Sequence, residues 1–250
     1  MTKTVESVLA RISGWEGASA IELSGGLTNR TWLVESAGRK AVLKIDDAVR
    51  SGPYNSRQAE AQVQISAASA GLASSVLVVT DTVYMTEYVE GRVWTREDLD
   101  DDDNLARLGR TLRRMHSLPL TGRTFDARSA ARQYAARIKN ADEDLLRRSL
   151  RVVDAMPAPF NLCFCHNDLV AGNIIATPDI RILDWEYACD NDPFFDLATV
   201  VAHHDLSDER ADFLLDAYFD GDGQRWRDRL GMFKRFYIAI HWLWRESRSR

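Results

Sequence analysis

The stretch CHNDLVAGNII at residues 165–175, followed by ILDWEYA at 182–188, constrains this chain more than any other feature. His166, Asp168 and Asn173 stand inside otherwise apolar sequence, where a buried carboxylate needs a partner or a use for its charge. Forward from Asp168, GNIIAT and IRILDWEYA read as two short strands around a turn at Asp179, the second ending at Asp184. Folded back as a hairpin, the start of the first strand and the end of the second come together, which brings Asn173 towards Asp184. Amide and carboxylate oxygens converging in this way suit a hard cation such as Mg²⁺.

Asp168 stands just before that hairpin, placed to accept a proton from an attacking hydroxyl. H-x-D-x-x-x-x-N followed by a strand-end aspartate is the arrangement phosphoryl transfer uses: one base and two metal ligands. A single aspartate would more simply cap a turn. The joint pattern of His166, Asp168, Asn173 and Asp184 on apolar sequence outweighs that reading.

The first part of the chain tests this independently. IELS, TWLVES and KAVLKI read as strands, with a turn at Ala37-Gly38 between the last two. Alternation on the third strand puts Lys40, Val42 and Lys44 on one face and Ala41, Leu43 and Ile45 on the other. Lys44 is the candidate for the phosphates of a nucleotide. The alanine-rich segment NSRQAEAQVQISAASAG predicts a helix stopping at Gly71, and Glu60 is the lone acid on its small-residue face. A Lys44–Glu60 ion pair is the expected reason. LSGGLTNRTW, between the first two strands, offers Gly25, Gly26, Thr28 and Asn29 for close backbone approach to phosphates, although Gly-Gly between strands also makes an ordinary hairpin. SSVLVVT and TVYMTEYV predict two further strands. Met85 to Gly91 then forms a connector whose backbone at Glu87 and Val89 can take the adenine edge.

From about Glu90 the pattern turns helical, beginning with NLARLGRTLRRMHSL, apart from the stretch 163–184. The expected organisation is α+β: residues 1–88 as a small sheet-rich lobe carrying one helix, and 89–250 as a larger, mainly helical lobe. Ligand sites favour such junctions. The acidic run EDLDDDDN reads as a solvated stretch that favours the start of the helix after it. Net charge is −5, with no basic run, which argues against nucleic acid as the main partner. Three cysteines, two of them in the apolar LCFC, lack zinc spacing and a disulfide framework. With neither a signal peptide nor a membrane-spanning apolar run, a reducing cytoplasmic setting is the simplest expectation. Nothing in the sequence sets the oligomeric state.

These motifs together resemble the aminoglycoside-phosphotransferase and choline-kinase superfamily, a bilobal protein-kinase-like fold that acts on small molecules. The resemblance runs from LSGGLTNRTWLV through AVLKI, MTEYVEGR and CHNDLVAGNII to ILDWEYACDNDPFFDLA. GGLTN, DWEYA and NDPFFDLA are similar to the choline and ethanolamine kinase branch. The resemblance implies ATP and Mg²⁺ as cofactors, Asp168 as catalytic base, Asn173 and Asp184 as metal ligands, and Lys44 with Glu60 on the ATP phosphates. No stretch resembles the A-P-E element or activation loop of protein kinases, so the expected acceptor is a small-molecule hydroxyl compound, cationic if of the choline type.

Glu186, Tyr187 and Trp244 are the candidate substrate residues, Tyr187 as the resemblance implies. Asp190, Asp192, Phe194, Phe195 and Asp196 lie nearby in sequence. Asp192-Pro193 also reads as a helix N-cap with proline at the first helical position, and the two phenylalanines as core. The last helix departs from the family. Choline kinases show W-x-x-W there, whereas this chain has HWLWR. Trp242 and Trp244 point about 200° apart on a helix, so only one faces a pocket, and the neighbour of Trp244 one turn back is His241. An aminoglycoside, an amino sugar or thiamine remains an alternative acceptor. A catalytically silent nucleotide-binding scaffold is the reading from another class, against which the joint presence of Lys44, Asp168, Asn173 and Asp184 speaks.

Overall fold

A computed structural model describes residues 4–23, 30–50, 56–139, 142–159 and 161–248. The chain divides into two compact units, Met1–Arg92 with Ile175–Tyr187, and Val93–Ile174 with Ala188–Arg250. This division differs from a single cut at 88/89 in two segments, 89–92 and 175–187, both of which belong to the first unit. The hairpin after Asn173 returns to the first unit, where the Ile182 N–H donates to the Leu72 carbonyl at 2.7 Å. Gly91, at φ +155°, makes room for that return: a Cβ there would lie 2.4 Å from Ile175 Cγ2 and 2.6 Å from the Ala176 carbonyl oxygen.

The first unit opens with a short helix, α1 (Val5–Leu9), capped by the Thr4 hydroxyl. The sequence reading assigned this lobe one helix; α1 is a second. Within the described residues, β1 (Ser19–Leu23), β2 (Arg30–Ser36), β3 (Arg39–Ile45), β4 (Val76–Val79) and β5 (Val83–Glu87) form an antiparallel sheet in the order β1-β2-β3-β5-β4. Ala37 and Gly38, both at positive φ, close the β2–β3 hairpin, as a two-residue turn of that twist requires. Alternation along β3 buries Ala41, Leu43 and Ile45 in a core with Trp15, Trp32, Val34 and Met85, which α1 completes through Val8 and Leu9. The opposite face of β3 carries Lys44, flanked in register by Thr31 and Tyr84. Helix α2 (Arg57–Ser69) starts at the Ser56 hydroxyl, which accepts from the Ala59 N–H, and ends at Gly71 with φ +71°.

β6 (Arg92–Val93) leads into the second unit. There α3 (Asp102–His116), capped by Asp101, packs on α7 (Asp208–Tyr218). Helices α4 (Ala127–Ala135) and α5 (Glu143–Asp154) lie against α8 (Arg227–Glu246), as does α6 (Pro193–His203). The acidic run serves α3 as expected: Asp101 caps it and Asp102 takes the Arg210 side chain. Strands β7 (Cys163–Cys165) and β10 (Cys189–Asn191) pair antiparallel, with Cys165 opposite Cys189. β8 (Ile174–Ala176) and β9 (Arg181–Ile182) are neighbours in a small sheet whose other edge is β6.

Gly109 is where α3 meets α7. A Cβ there would stand 2.8 Å from the Ala217 Cβ. Gly109→Val is therefore expected to destabilise the chain by about 1–3 kcal/mol through overpacking, read as a lower urea midpoint. An unchanged midpoint would mean that the two helices can part without loss.

Candidate active site

On the first unit, Lys44 is the hub. Its Nζ donates to Asp184 Oδ1 at 2.7 Å and lies 3.5 Å from Glu60 Oε1. Burial alone would lower its pKa, but the Asp184 and Glu60 carboxylates more than reverse that, and the ammonium stays charged above its ordinary 10.5. The Lys44–Glu60 ion pair expected from the sequence is present, yet Glu60 is held mainly by another cation. Arg57, fully buried, donates from its terminal nitrogen to Glu60 Oε2 at 2.6 Å and forks onto Asp46 at 2.7 and 2.9 Å. Its guanidinium also lies over the Tyr84 ring. Glu60 is thus fixed through one oxygen while Oε1, buried, accepts no hydrogen bond. Arg57 and Asp46 were not singled out from the sequence. The signal was available in part, because Arg57 precedes Glu60 by one helical turn.

Asp184 sits just past β9 with φ +61°, a left-handed backbone that costs an aspartate on the order of 1–3 kcal/mol and is kept where its surroundings demand it. Glu186 is buried and accepts from Arg50 at 2.8 Å. Burial and the Asp184 charge push its carboxyl above 4.5, against the pull of Arg50. Tyr187 is half-buried. In the connector, the Glu87 N–H is committed to the Ser75 carbonyl and the Tyr88 N–H to Lys40, whereas the Val89 N–H takes no bond among the described residues. Gly25, Gly26, Thr28 and Asn29 lie outside the described residues.

On the second unit, Asp168 follows β7 in a loop braced from below. The Asp196 carboxylate accepts from the His166 N–H at 2.8 Å, the Asn167 N–H at 2.7 Å and His116 Nε2 at 3.1 Å. Burial would raise the Asp196 pKa, but His116 and His166 hold it below the ordinary 3.8. Asn167 adopts φ +64°, which asparagine tolerates better than most residues. Its amide is locked by the Cys189 carbonyl and by Asn191, at 3.3 and 2.8 Å. His204, at the end of α6, donates from Nδ1 to the Val200 carbonyl and accepts the Ala171 N–H on Nε2. Asp196 and Asn191 therefore hold the loop rather than a ligand, and His204 is a brace the sequence reading missed.

The Asn173 side chain reaches back to Asp168. Its amide donates to the Asp168 carbonyl at 2.9 Å and to Oδ2 at 3.3 Å. That orientation spends both amide hydrogens on Asp168 and leaves Asn173 Oδ1 as the atom for a cation. On the first unit, the Asp184 carboxylate likewise offers hard oxygen of the kind Mg²⁺ takes.

The other sequence candidates are structural. Asp190 caps the turn at Thr121 and Gly122, Asp192 caps α6, and Phe194 and Phe195 are core. The cysteines are reduced and buried. Cys163, Cys165 and His116 bring their ligand atoms within 4.8 Å of one another. Both His116 nitrogens are already engaged by Tyr218 and Asp196, however, and burial keeps the Cys165 thiol protonated. Among the described residues, no helix is long and apolar enough to cross a membrane.

Trp244 belongs to a row of rings on the second unit. Tyr237 stacks on His241 at 5.3 Å and 7°, and His241 stacks on Trp244 at 5.7 Å and 22°. The Arg248 guanidinium lies 5.1 Å over the Trp244 ring. At the other end, the Tyr237 hydroxyl meets His203 Nδ1 at 2.8 Å.

Comparison with known proteins supplies the context for these two sets of residues. A model of the phosphotransferase enzyme family matches residues 19–232. Protein LicA of Haemophilus influenzae is 34% identical over 207 residues, which make up 78% of this chain and 61% of that protein. The chain thus spans less than two thirds of the length of that relative. The crystal structure of a choline/ethanolamine kinase family protein from Mesorhizobium loti superposes with a TM-score of 0.75 at 27% identity, covering 96% of this chain and 83% of the other. Choline kinase LicA from Streptococcus pneumoniae shares the fold, with a TM-score of 0.76 at 20% identity and coverage of 96% and 89%. The α+β architecture is the protein-kinase-like one these structures have in common.

Proposed function

The chain belongs to the phosphotransferase enzyme family, and from that premise we propose that it transfers the γ-phosphoryl group of ATP to the hydroxyl of a choline- or ethanolamine-type amino alcohol. The observation that carries the reading is the Lys44 cluster: a part-buried ammonium on β3 lies 3.5 Å from the Glu60 carboxylate on α2, the strand-lysine and helix-glutamate pair that phosphoryl transfer from ATP uses. Similarity to a choline/ethanolamine kinase family protein supports the acceptor class.

In this reading, Asp168 accepts a hydrogen bond from the acceptor hydroxyl, aligns its oxygen with the γ-phosphorus and takes its proton as the new P–O bond forms and the bond to the β–γ bridging oxygen breaks, releasing ADP. Asn173 keeps the Asp168 loop in place by bonding both its carbonyl and its carboxylate. Asn173 Oδ1 and the Asp184 carboxylate are the oxygens that would take Mg²⁺, which would supply positive charge to offset that of the phosphates. Lys44 adds a second fixed charge, and Glu60 Oε1, already 3.5 Å from its ammonium, keeps it in place when Asp184 is engaged elsewhere. Arg57 keeps Glu60 in position. The Val89 N–H is the connector donor left for the adenine edge. Rate enhancement then comes chiefly from positioning and preorganised charge. Three reduced cysteines and the use of ATP fit a cytoplasmic setting.

The test is ADP release from ATP·Mg²⁺ over a panel of amino alcohols, amino sugars, aminoglycosides and thiamine. Preferential turnover of an amino alcohol is the expected result; turnover confined to sugars or thiamine would overturn the acceptor class. Lys44→Met, nearly isosteric but uncharged, is expected to lower kcat/KM for ATP by about 10²-fold. An unchanged value would remove Lys44 from the phosphate site.

A further inference from the structure

The ring row offers two chemically different surfaces, and its geometry decides which one a ligand can use. A quaternary ammonium has no hydrogen to donate, so it is bound by ring faces and carboxylates. At His241 the faces are taken, since Tyr237 stacks on the ring and the ring stacks on Trp244. Trp244 in turn carries the Arg248 guanidinium, a cation already in place over its ring. What His241 still presents is the part of its edge not covered by His203, which packs T-shaped against it with ring centroids 5.8 Å apart. No hydrogen bond to either of its ring nitrogens is found among the described residues, and burial holds the imidazole below 6.5, hence neutral at pH 7 with one nitrogen lone pair available. The row starts at the loop that carries Asp168: His203, which meets the Tyr237 hydroxyl, packs with its ring centroid 4.9 Å from that of His204, whose Nε2 accepts the Ala171 N–H of that loop. A hydroxyl held at Asp168 can therefore extend the rest of its molecule along these rings.

We propose that His241 is a specificity-determining residue that selects amino alcohols whose ammonium group still carries hydrogens, accepting an N–H on its ring edge, over those with a fully alkylated nitrogen. The inference rests on the amino-alcohol reading above and narrows it. A site that hydrogen-bonds a substrate N–H rejects an analogue lacking it, because the acceptor is then left unpaired. His241 is half-buried, so water can compensate in part, and the discrimination is expected to be about tenfold or more.

The experiment is steady-state kinetics with 2-aminoethanol and its N-methyl, N,N-dimethyl and N,N,N-trimethyl derivatives. As ammonium ions these carry three, two, one and no N–H hydrogens. The selector predicts a step: kcat/KM is similar for the first three and falls about tenfold or more at the trimethyl compound, mainly through KM. In His241→Phe, which keeps a stackable ring but has no acceptor, that step should flatten while KM for ATP stays unchanged. An even decline with each methyl group, a preference for the trimethyl compound, or the same step in His241→Phe would overturn the proposal while leaving the amino-alcohol reading intact. No turnover of any of the four, with ATP·Mg²⁺ still raising the melting temperature, would instead overturn the amino-alcohol reading and this proposal with it.

Discussion

Asp168→Asn is expected to lower kcat by about 10³-fold, within the range that one general base contributes, while the melting-temperature rise on adding ATP·Mg²⁺ stays at its wild-type value. The two effects separate because of where Asp168 is bonded. Asn173 donates to the Asp168 backbone carbonyl at 2.9 Å, a contact the substitution does not touch. The loop itself is pinned through the backbone N–H groups of His166 and Asn167. Lys44, with the Glu60 and Asp184 carboxylates that hold it, belongs to the other unit, so the nucleotide phosphates keep this counter-charge. What the variant loses is the oxygen that takes the hydroxyl proton. Wild-type turnover in Asp168→Asn would sink the base assignment. Loss of the ATP-induced melting shift would show that the residue serves nucleotide binding instead.

Asp196→Ala is expected to be the most destabilising single change discussed here, by about 3–5 kcal/mol, the usual range for deleting one partner of a buried charged network. The carboxylate is fully buried and accepts two backbone N–H groups and the His116 imidazole. Its removal strands three donors at once, each of which costs about 1–3 kcal/mol if left unpaired. Because its pKa is held below 3.8 in the folded state, this stabilisation is fully present above that value and is lost as the pH falls through the depressed folded-state pKa. Urea unfolding at pH 7 measures the difference directly. A loss below about 1 kcal/mol would mean that the surrounding loop finds other acceptors, and that Asp196 is not the brace described above.

How far the sequence could be read depended on how local each feature was. Lys44 was legible because strand alternation and the buried run Ala41, Leu43, Ile45 fix its face. Glu60 was legible because a lone acid on a small-residue helix face has few uses. The helix cap at Asp192 and the core roles of Phe194 and Phe195 follow from local rules and are observed. Arg57 and Asp46 were not legible: their bidentate pair joins a helix to the end of a strand, and nothing in either segment alone calls for the other. The same holds for His204, whose two nitrogens bridge a helix carbonyl and a loop amide. Asp196 was grouped with substrate neighbours on sequence proximity, but its burial makes it a brace for the Asp168 loop. Trp244 stacks on His241, the neighbour its helical spacing gave, whereas its other partner, Arg248, lies beyond the helix pattern. The hairpin's return to the first unit escaped a division made by composition, since it depends on the space left at Gly91.

The central claim is phosphoryl transfer from ATP to an amino-alcohol hydroxyl through Asp168. Its most direct measurement is ³¹P NMR of the protein incubated with ATP, Mg²⁺ and 2-aminoethanol, with Asp168→Asn run alongside. Growth of a phosphomonoester signal in step with ADP for the wild-type chain, and its absence for the variant, is the result this account predicts. ADP accompanied only by inorganic phosphate, or a phosphomonoester formed equally by both proteins, would contradict it.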